Sequence, residues 1–219
     1  MRDAHRLTAP RGPSWLLLCA LLAVALQPAE LEAQRRNRDN WQRVPDVIAA
    51  LAIGEGSRVA DVGAGSGYFT AYLAREVGAG GRVFAVDISE RSLSQLRRLA
   101  EAEGLDNVEV VRGAIDDPRL PAGSLDAVLV VDAYHEMTEH AAMLAGMYGA
   151  LKPGGRLVMV DFIPADPSQS RDRQTARHEL SIDIVEEELR EAGFELLDRD
   201  ERFTQGGHSR GQWLVVARR

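Results

Sequence analysis

The chain has 219 residues, 45% of them hydrophobic and 27% charged, with a formal net charge of −7. That length suits one catalytic-sized domain with a normal soluble core, and the negative balance argues against the basic stripe of a nucleic-acid binder. A single cysteine, Cys19, excludes an internal disulfide framework and a cysteine-based zinc site, and the five histidines show no HExxH-like spacing, so no metal site is expected.

The first 33 residues read as a secretory signal. Arg2, Arg6 and Arg11 face one acid, Asp3, ahead of an uncharged apolar run, Trp15 to Leu26. Gln27-Pro28 breaks the run, Ala29-Glu30-Leu31-Glu32-Ala33 follows, and cleavage is expected after Ala33, although Leu31 at the −3 position is larger than the small residue preferred there. The run is about 12 residues, short of the roughly 20 that cross a bilayer. An uncleaved anchor is the alternative, and a lipoprotein signal at Cys19 is disfavoured by Leu18. The cluster Arg35-Arg36-Asn37-Arg38 reads as a solvated linker. The expected organisation is a signal peptide over 1–33 and a single domain over 34–219, exported to the periplasm or secreted, with no membrane span in the mature chain.

From there helical and strand patterns alternate. Residues 41–52 carry Val44, Val47, Ile48 and Leu51 on one helical face, with Pro45 in the first turn. A strand over 58–62, a helix over 67–77, a strand over 82–87 and a helix over 89–103 follow. Further strands are expected over 108–112, 125–132 and 156–161, with a helix over 138–151 between the last two. Strands this apolar, separated by helices, predict a parallel sheet covered on both faces by right-handed crossovers. A helix over 182–192 then precedes two strands, about 194–203 and 211–218, which a short glycine-bearing loop from Thr204 to Arg210 joins as an antiparallel pair. Pro164 to Ala176, rich in Asp, Ser, Gln and Arg, is expected to be the least ordered stretch of the domain.

Asp61-Val62-Gly63-Ala64-Gly65-Ser66-Gly67 ends the first strand and opens a helix. Glycines there let a ligand approach the backbone, and the helix N-terminus offers unpaired N–H groups to a carboxylate or phosphate. Asp87 closes the second strand, placed to accept hydrogen bonds from both hydroxyls of a ribose. The pair points to a nucleoside ligand. A dinucleotide fingerprint counted from Gly63 wants glycine where Tyr68 stands, and no G-x-x-x-x-G-K-[ST] loop is present, so dinucleotides and nucleoside triphosphates are disfavoured.

Four segments then carry a family resemblance. VADVGAGSGYFT resembles the first motif of the class I S-adenosylmethionine-dependent methyltransferases, VFAVDIS their acidic second strand, LPAGSLDAVLVVDAYHEM their fourth strand and following loop, and LKPGGRLVMVDF their fifth-strand motif. The resemblance spans residues 41 to 219 and is nearest the small-molecule group with ubiquinone/menaquinone-type and arsenite-type enzymes, signal-bearing bacterial members included. It implies an α/β fold: a Rossmann-like, doubly wound, mostly parallel seven-stranded sheet with an antiparallel C-terminal strand. It implies S-adenosylmethionine as cofactor. Gly63, Ala64, Gly65 and Gly67 would lie along its methionine part, Asp61 would orient its amino group, Asp87 would hold the ribose and Ile88 would pack on the adenine. Gly113-Ala114-Ile115-Asp116 would border the adenine edge. Relatives often carry an acid where Ala114 stands, so Asp116, Asp117 or a backbone group would take that part.

Ligands of such sheets bind beyond the carboxyl ends of the strands, which puts the end of strand four at the chemistry: Asp132, Tyr134, His135 and Glu136. Asp132 is assigned to both the cofactor and the catalytic set. Tyr134 is a candidate for the methionine side. His135 is a candidate general base, or else caps the next helix. Trp41 and Arg43 either fold over the cofactor or simply pack, and His178 either caps the acceptor pocket or is a solvated loop residue. The arsenic-binding cysteines of arsenite enzymes are missing, which disfavours that acceptor. The expected function is methyl transfer from S-adenosylmethionine to an unidentified small molecule. A non-catalytic binding module and another nucleoside-cofactor enzyme, aminopropyl-type or nicotinamide-dependent, are the alternatives.

Overall fold

The computed structural model describes residues 38–205 and 210–219. The expected signal, Cys19, residues 35–37 and the middle of the loop after Thr204 lie outside the described residues. Seven strands form one sheet: β1 Arg58–Val62, β2 Arg82–Asp87, β3 Val108–Arg112, β4 Leu125–Val131, β5 Leu151–Phe162, β6 Glu195–Thr204 and β7 Gln212–Arg218. Their order across the sheet is β3-β2-β1-β4-β5-β7-β6. β1 to β5 pair in parallel, and β7 runs antiparallel between β5 and β6. This is the expected doubly wound architecture. The order reverses between β1 and β4, the place where such sheets open a ligand crevice.

The helices are α1 Val44–Leu51, α2 Tyr68–Val77, α3 Glu90–Glu103, α4 His140–Ala150, α5 Arg171–Thr175 and α6 Ile182–Glu191. Alternate strand residues sort the core into two layers, because successive side chains of a strand point to opposite faces. Val59, Val83 and Leu129 meet Val47 and Leu51 of α1 and Leu73 of α2 on one face. Ala60, Val86 and Val130 meet Met147 of α4 and Val185 and Leu189 of α6 on the other. Among the described residues, no helix is long and apolar enough to cross a membrane.

Two boundaries and one stretch differ from expectation for physical reasons. α1 begins at Val44 rather than at Trp41, because Arg43 is left-handed (φ 49°) and separates α1 from a preceding helical turn over 38–41. β5 begins at Leu151, well before residue 156, since a register irregularity between Leu125 and Ala127 lets it pair with β4 through the Pro-Gly-Gly stretch. The stretch from Pro164 to Ala176 is built rather than loose. It contains α5, and the buried Gln174 amide donates to the carbonyls of Gln169 (2.7 Å) and Pro167 (3.2 Å) while accepting from the Ser181 N–H (2.7 Å).

Candidate active site

Two cavities meet at the carboxyl ends of β1, β2 and β4. The larger, about 470 Å³, is walled by Val86, Asp87, Ile88, Ile115 and Met143 and floored by Gly63 and Gly65. The smaller, about 170 Å³, lies on the other side of the glycine turn, against Arg38, Asp61, Ala64 and Tyr68. Gly63, Gly65 and Asp132 border both.

The turn and the second-strand acid are joined directly. Asp87 accepts from the N–H of Gly65 (2.9 Å) through one oxygen and of Ser89 (2.8 Å) through the other. Each carboxylate oxygen keeps a further lone pair for a diol. Ile88 and Ile115 are 60% and 56% exposed, and both face the larger cavity. Exposed aliphatic walls beside a carboxylate fit a flat apolar ring with a sugar attached, as adenosine has. Asp116 is exposed and lies outside this wall, and Asp117 spends its carboxylate on the Arg119 N–H (2.7 Å). Neither lines this cavity, whereas Gly113, Ala114 and Ile115 do.

Asp61 is buried and accepts from the Thr70 hydroxyl at 2.6 Å. Burial, with a smaller push from Asp87 and against the Thr70 bond, raises its pKa to about 6. Asp132 closes the turn after β4 in a left-handed conformation (φ 53°). Its carboxylate accepts from Gln42 Nε2 (3.3 Å) and from Gln212 Nε2. Burial first, then the charge of Asp161, lifts its pKa to about 7 against the pull of Gln212, Arg38 and His135. A carboxyl poised near neutrality, at the junction of two cavities, can hold or release a proton there.

Of Tyr134, His135 and Glu136, only Glu136 lines the cleft. The turn Tyr134–Glu136 is one turn of 3₁₀ helix, so consecutive side chains fan out about 120° apart. Tyr134 turns into the core and donates to Glu188 of α6 at 2.7 Å. It lines neither cavity, and burial and Glu188 push its hydroxyl far above its ordinary range, so it is neither a wall of the methionine side nor a base. Tyr134→Phe should cost about 1 kcal/mol of stability, as one lost hydrogen bond does, and leave cofactor affinity unchanged. Urea unfolding beside calorimetry checks both, and a loss of affinity would return Tyr134 to the site.

His135 also lines neither cavity. Its Nδ1–H donates to the buried Asp161 at 2.7 Å, since a carboxylate only accepts. Burial would lower its pKa, but Asp161, Glu136 and Asp132 outweigh that and raise it. Its Nε2 lies behind Glu136, 3.8 Å from that carboxylate, and it caps no helix, because α4 begins at His140. Glu136 does face the larger cavity. It lies 3.5 Å from His178, a solvated loop histidine whose side chain is 67% exposed.

The third glycine faces α3. Gly67 borders neither cavity. A Cβ there would lie 2.4 Å from Leu99 and 2.9 Å from Leu96, so α3 packs where a side chain would stand. Residues of the N-terminal turn other than Trp41 and Arg43 reach the cleft. Trp41 lines neither cavity, and Arg43 turns to the carbonyl of Phe203 (2.8 Å). Arg38 borders the smaller cavity over the Tyr68 ring, Asp39 accepts from the Tyr68 and Tyr72 hydroxyls, and Gln42 reaches Asp132. Gln42, Gln212 and Asp161 were not singled out from the sequence. The available signal was a polar residue bordering an otherwise apolar run, as in GQWLVV and LVMVDF.

Residues 59–155 match the family model of a methyltransferase domain. The ubiquinone/menaquinone biosynthesis C-methyltransferase UbiE of Escherichia fergusonii is 32% identical over 123 residues, 56% of this chain and 48% of that protein. An S-adenosyl-L-methionine-dependent Diels-Alderase, iccD of Talaromyces variabilis, is 32% identical over 138 residues, 62% of this chain and 46% of that protein. The chain thus spans about half the length of these curated relatives. A SAM-dependent methyltransferase from Aquifex aeolicus shares the fold, with a TM-score of 0.71 and 23% identity over 88% of this chain and 98% of that one. The matched residues carry β1 to β4, the glycine turn, Asp87 and Asp132, so the cradle described above lies within the segment that is similar to these proteins.

Proposed function

We propose that this protein is an S-adenosylmethionine-dependent methyltransferase acting on a small molecule. The observation that carries the reading is Asp132, a near-neutral carboxyl shared by an adenosine-shaped cavity and the smaller cavity beside Asp61. The cofactor supplies an electrophilic methyl carbon, whose bond to sulfur breaks with its electron pair returning to sulfur as the acceptor's pair forms the new bond. Asp87 holds the ribose, Ile88 and Ile115 sandwich the adenine, and Gly63, Ala64 and Gly65 border the methionine part. Asp61, with Arg38 opposite, orients the amino and carboxyl groups. Asp132 takes the proton of a protic acceptor, and Gln42 and Gln212 hold its carboxylate in place. The acceptor enters over Met137 and Met143, an apolar wall that suits an uncharged ring or chain.

Asp87→Ala should weaken S-adenosylhomocysteine binding by about 1–3 kcal/mol, the range for leaving buried polar partners unmade. Calorimetry on the full chain checks it, and an unchanged affinity would remove Asp87 from the site. Turnover of labelled methyl donor against a pooled small-molecule extract tests the activity itself. The similarity to the Diels-Alderase favours a second reading, in which the cofactor is held but its methyl is not transferred. Product formation with no accumulation of S-adenosylhomocysteine would select that reading. We further propose export of residues 34–219 after cleavage at Ala33. N-terminal sequencing from fractionated cells tests it, and an intact Met1 in the cytosol would overturn it.

A further inference from the structure

His135, Glu136 and His178 form a cluster that the methyltransferase reading leaves unused. One donor atom from each lies within 4.8 Å of the others. Nε2 of His135 is 3.8 Å from Oε1 of Glu136, and Nδ1 of His178 is 3.5 Å from the same oxygen. A tetrahedral ion with ligand bonds of about 2.1 Å needs donors about 3.4 Å apart. Glu136 and His178 have side chains 64% and 67% exposed, so small rotations of these two bring the trio to that spacing.

His135 is prepared as metal-binding histidines are. Its ring is 3% exposed, and its Nδ1–H is held by Asp161, which is wholly buried. Asp161 is itself fixed by the N–H groups of His135 (3.1 Å) and Phe162 (2.8 Å). A carboxylate behind Nδ1 sets the tautomer that leaves the lone pair on Nε2, the atom facing Glu136, and strengthens that nitrogen as a ligand. His178 adopts a left-handed backbone (φ 54°), a conformation costly for a non-glycine residue and concentrated at functional sites. Its ring meets that of His135 edge-on at 5.4 Å. The nearby Arg210, over the Phe162 ring, is engaged by Glu179 at 2.7 Å.

We propose that His135, Glu136 and His178 bind one divalent transition-metal ion, with Asp161 orienting His135 from behind. Two imidazoles and a carboxylate suit zinc, iron or nickel better than magnesium or calcium. Three protein ligands leave at least one position open. Glu136 also walls the larger cavity, so that position borders the acceptor's place and suits an oxygen of the acceptor or a water. This last assignment rests on the methyltransferase reading, whereas the binding of the ion does not.

The test uses the full chain, stripped of metal and titrated with cobalt(II), whose visible absorption reports nitrogen and oxygen ligands at low coordination number. One saturable equivalent is expected. His178→Ala and Glu136→Gln, both at exposed side chains, should each weaken it about tenfold or more. A loss in either variant supports the site. No saturable uptake, or an affinity unmoved in both variants, overturns it. S-adenosylhomocysteine calorimetry on the same samples reads the cofactor site separately, so failure of the ion and failure of the methyltransferase reading are distinguishable.

Discussion

Asp61→Asn should make the folded chain more stable at pH 7.5 and its cofactor site worse. Asp61 is fully desolvated, and its carboxyl titrates near 6 in the folded chain against 3.8 for an unperturbed one. Between those values the folded state keeps a proton that the unfolded state gives up. Stability therefore falls as pH rises across the window, and it stays lower above about 6. The full difference is worth up to about 3 kcal/mol. An asparagine removes the buried charge and still offers an oxygen to the Thr70 hydroxyl, while its NH₂ faces the smaller cavity. Urea unfolding should show a gain at pH 7.5 that shrinks through pH 6 and is gone near pH 4. The amino group of the cofactor wants the charge that folding resents. Affinity for S-adenosylhomocysteine should thus fall about tenfold or more in the variant at pH 7.5, and in the natural chain it should fall as pH drops below about 6. A variant that gains stability without losing affinity would detach Asp61 from the ligand, and one that gains nothing would refute the raised pKa.

The same tension explains which parts of this molecule can be read from its sequence. Strands such as Leu125–Val131, apolar on both faces apart from Asp126, are so because both faces are covered, and their short length between turn residues marks them as strands. Asp61 and Asp87 were legible because Asp87 ends such a run and Asp61 interrupts one just before the glycine turn, where a charge has no packing role. The turn after β4 was not legible. Asp132 takes a left-handed conformation and the next residues wind as 3₁₀ helix, so Tyr134, His135 and Glu136 leave in three directions, to Glu188, to Asp161 and to the cleft. Neighbours in sequence gave no hint of this divergence, which depends on one backbone angle. The clamp on Asp132 was hidden for the opposite reason. Gln42 and Gln212 are far apart along the chain and meet only because β7 inserts antiparallel beside β5. His178 and Glu136 are likewise brought together by the folded stretch between β5 and α6, which composition alone made look loose.

The three glycines of the turn should respond to alanine in three different ways, because each is required by a different neighbour. Gly63 has φ 78°, and a Cβ there would lie 2.4 Å from the Cβ of Ala133. That atom is fixed to the backbone of the turn after β4 and cannot swing aside. The Gly63 and Ala64 N–H groups are also tied to the Val86 carbonyl at 2.9 and 3.0 Å, so the glycine turn cannot retreat. Gly63→Ala should cost about 2–4 kcal/mol, the sum of a left-handed alanine and an overpacked contact, and should weaken cofactor binding by pushing apart the two turns that meet at Asp132. At Gly67 the contacts are the far ends of Leu99 and Leu96. The backbone there is left-handed too (φ 90°), and although the half-buried Leu99 can turn away, Leu96 is buried, so the loss should be about 1–3 kcal/mol and should fall on the backbone and α3 packing, with the cofactor affinity little changed. Gly65 has φ 57° and nothing within 4 Å of its would-be Cβ, yet it borders both cavities. Gly65→Ala should therefore lose only about 1 kcal/mol of stability to backbone strain while its methyl intrudes where the ligand belongs. Urea midpoints and S-adenosylhomocysteine affinities for the three variants separate packing from binding. Equal midpoints for Gly63→Ala and Gly65→Ala would mean that Ala133 gives way, and an unweakened affinity in Gly65→Ala would move the ligand off the turn.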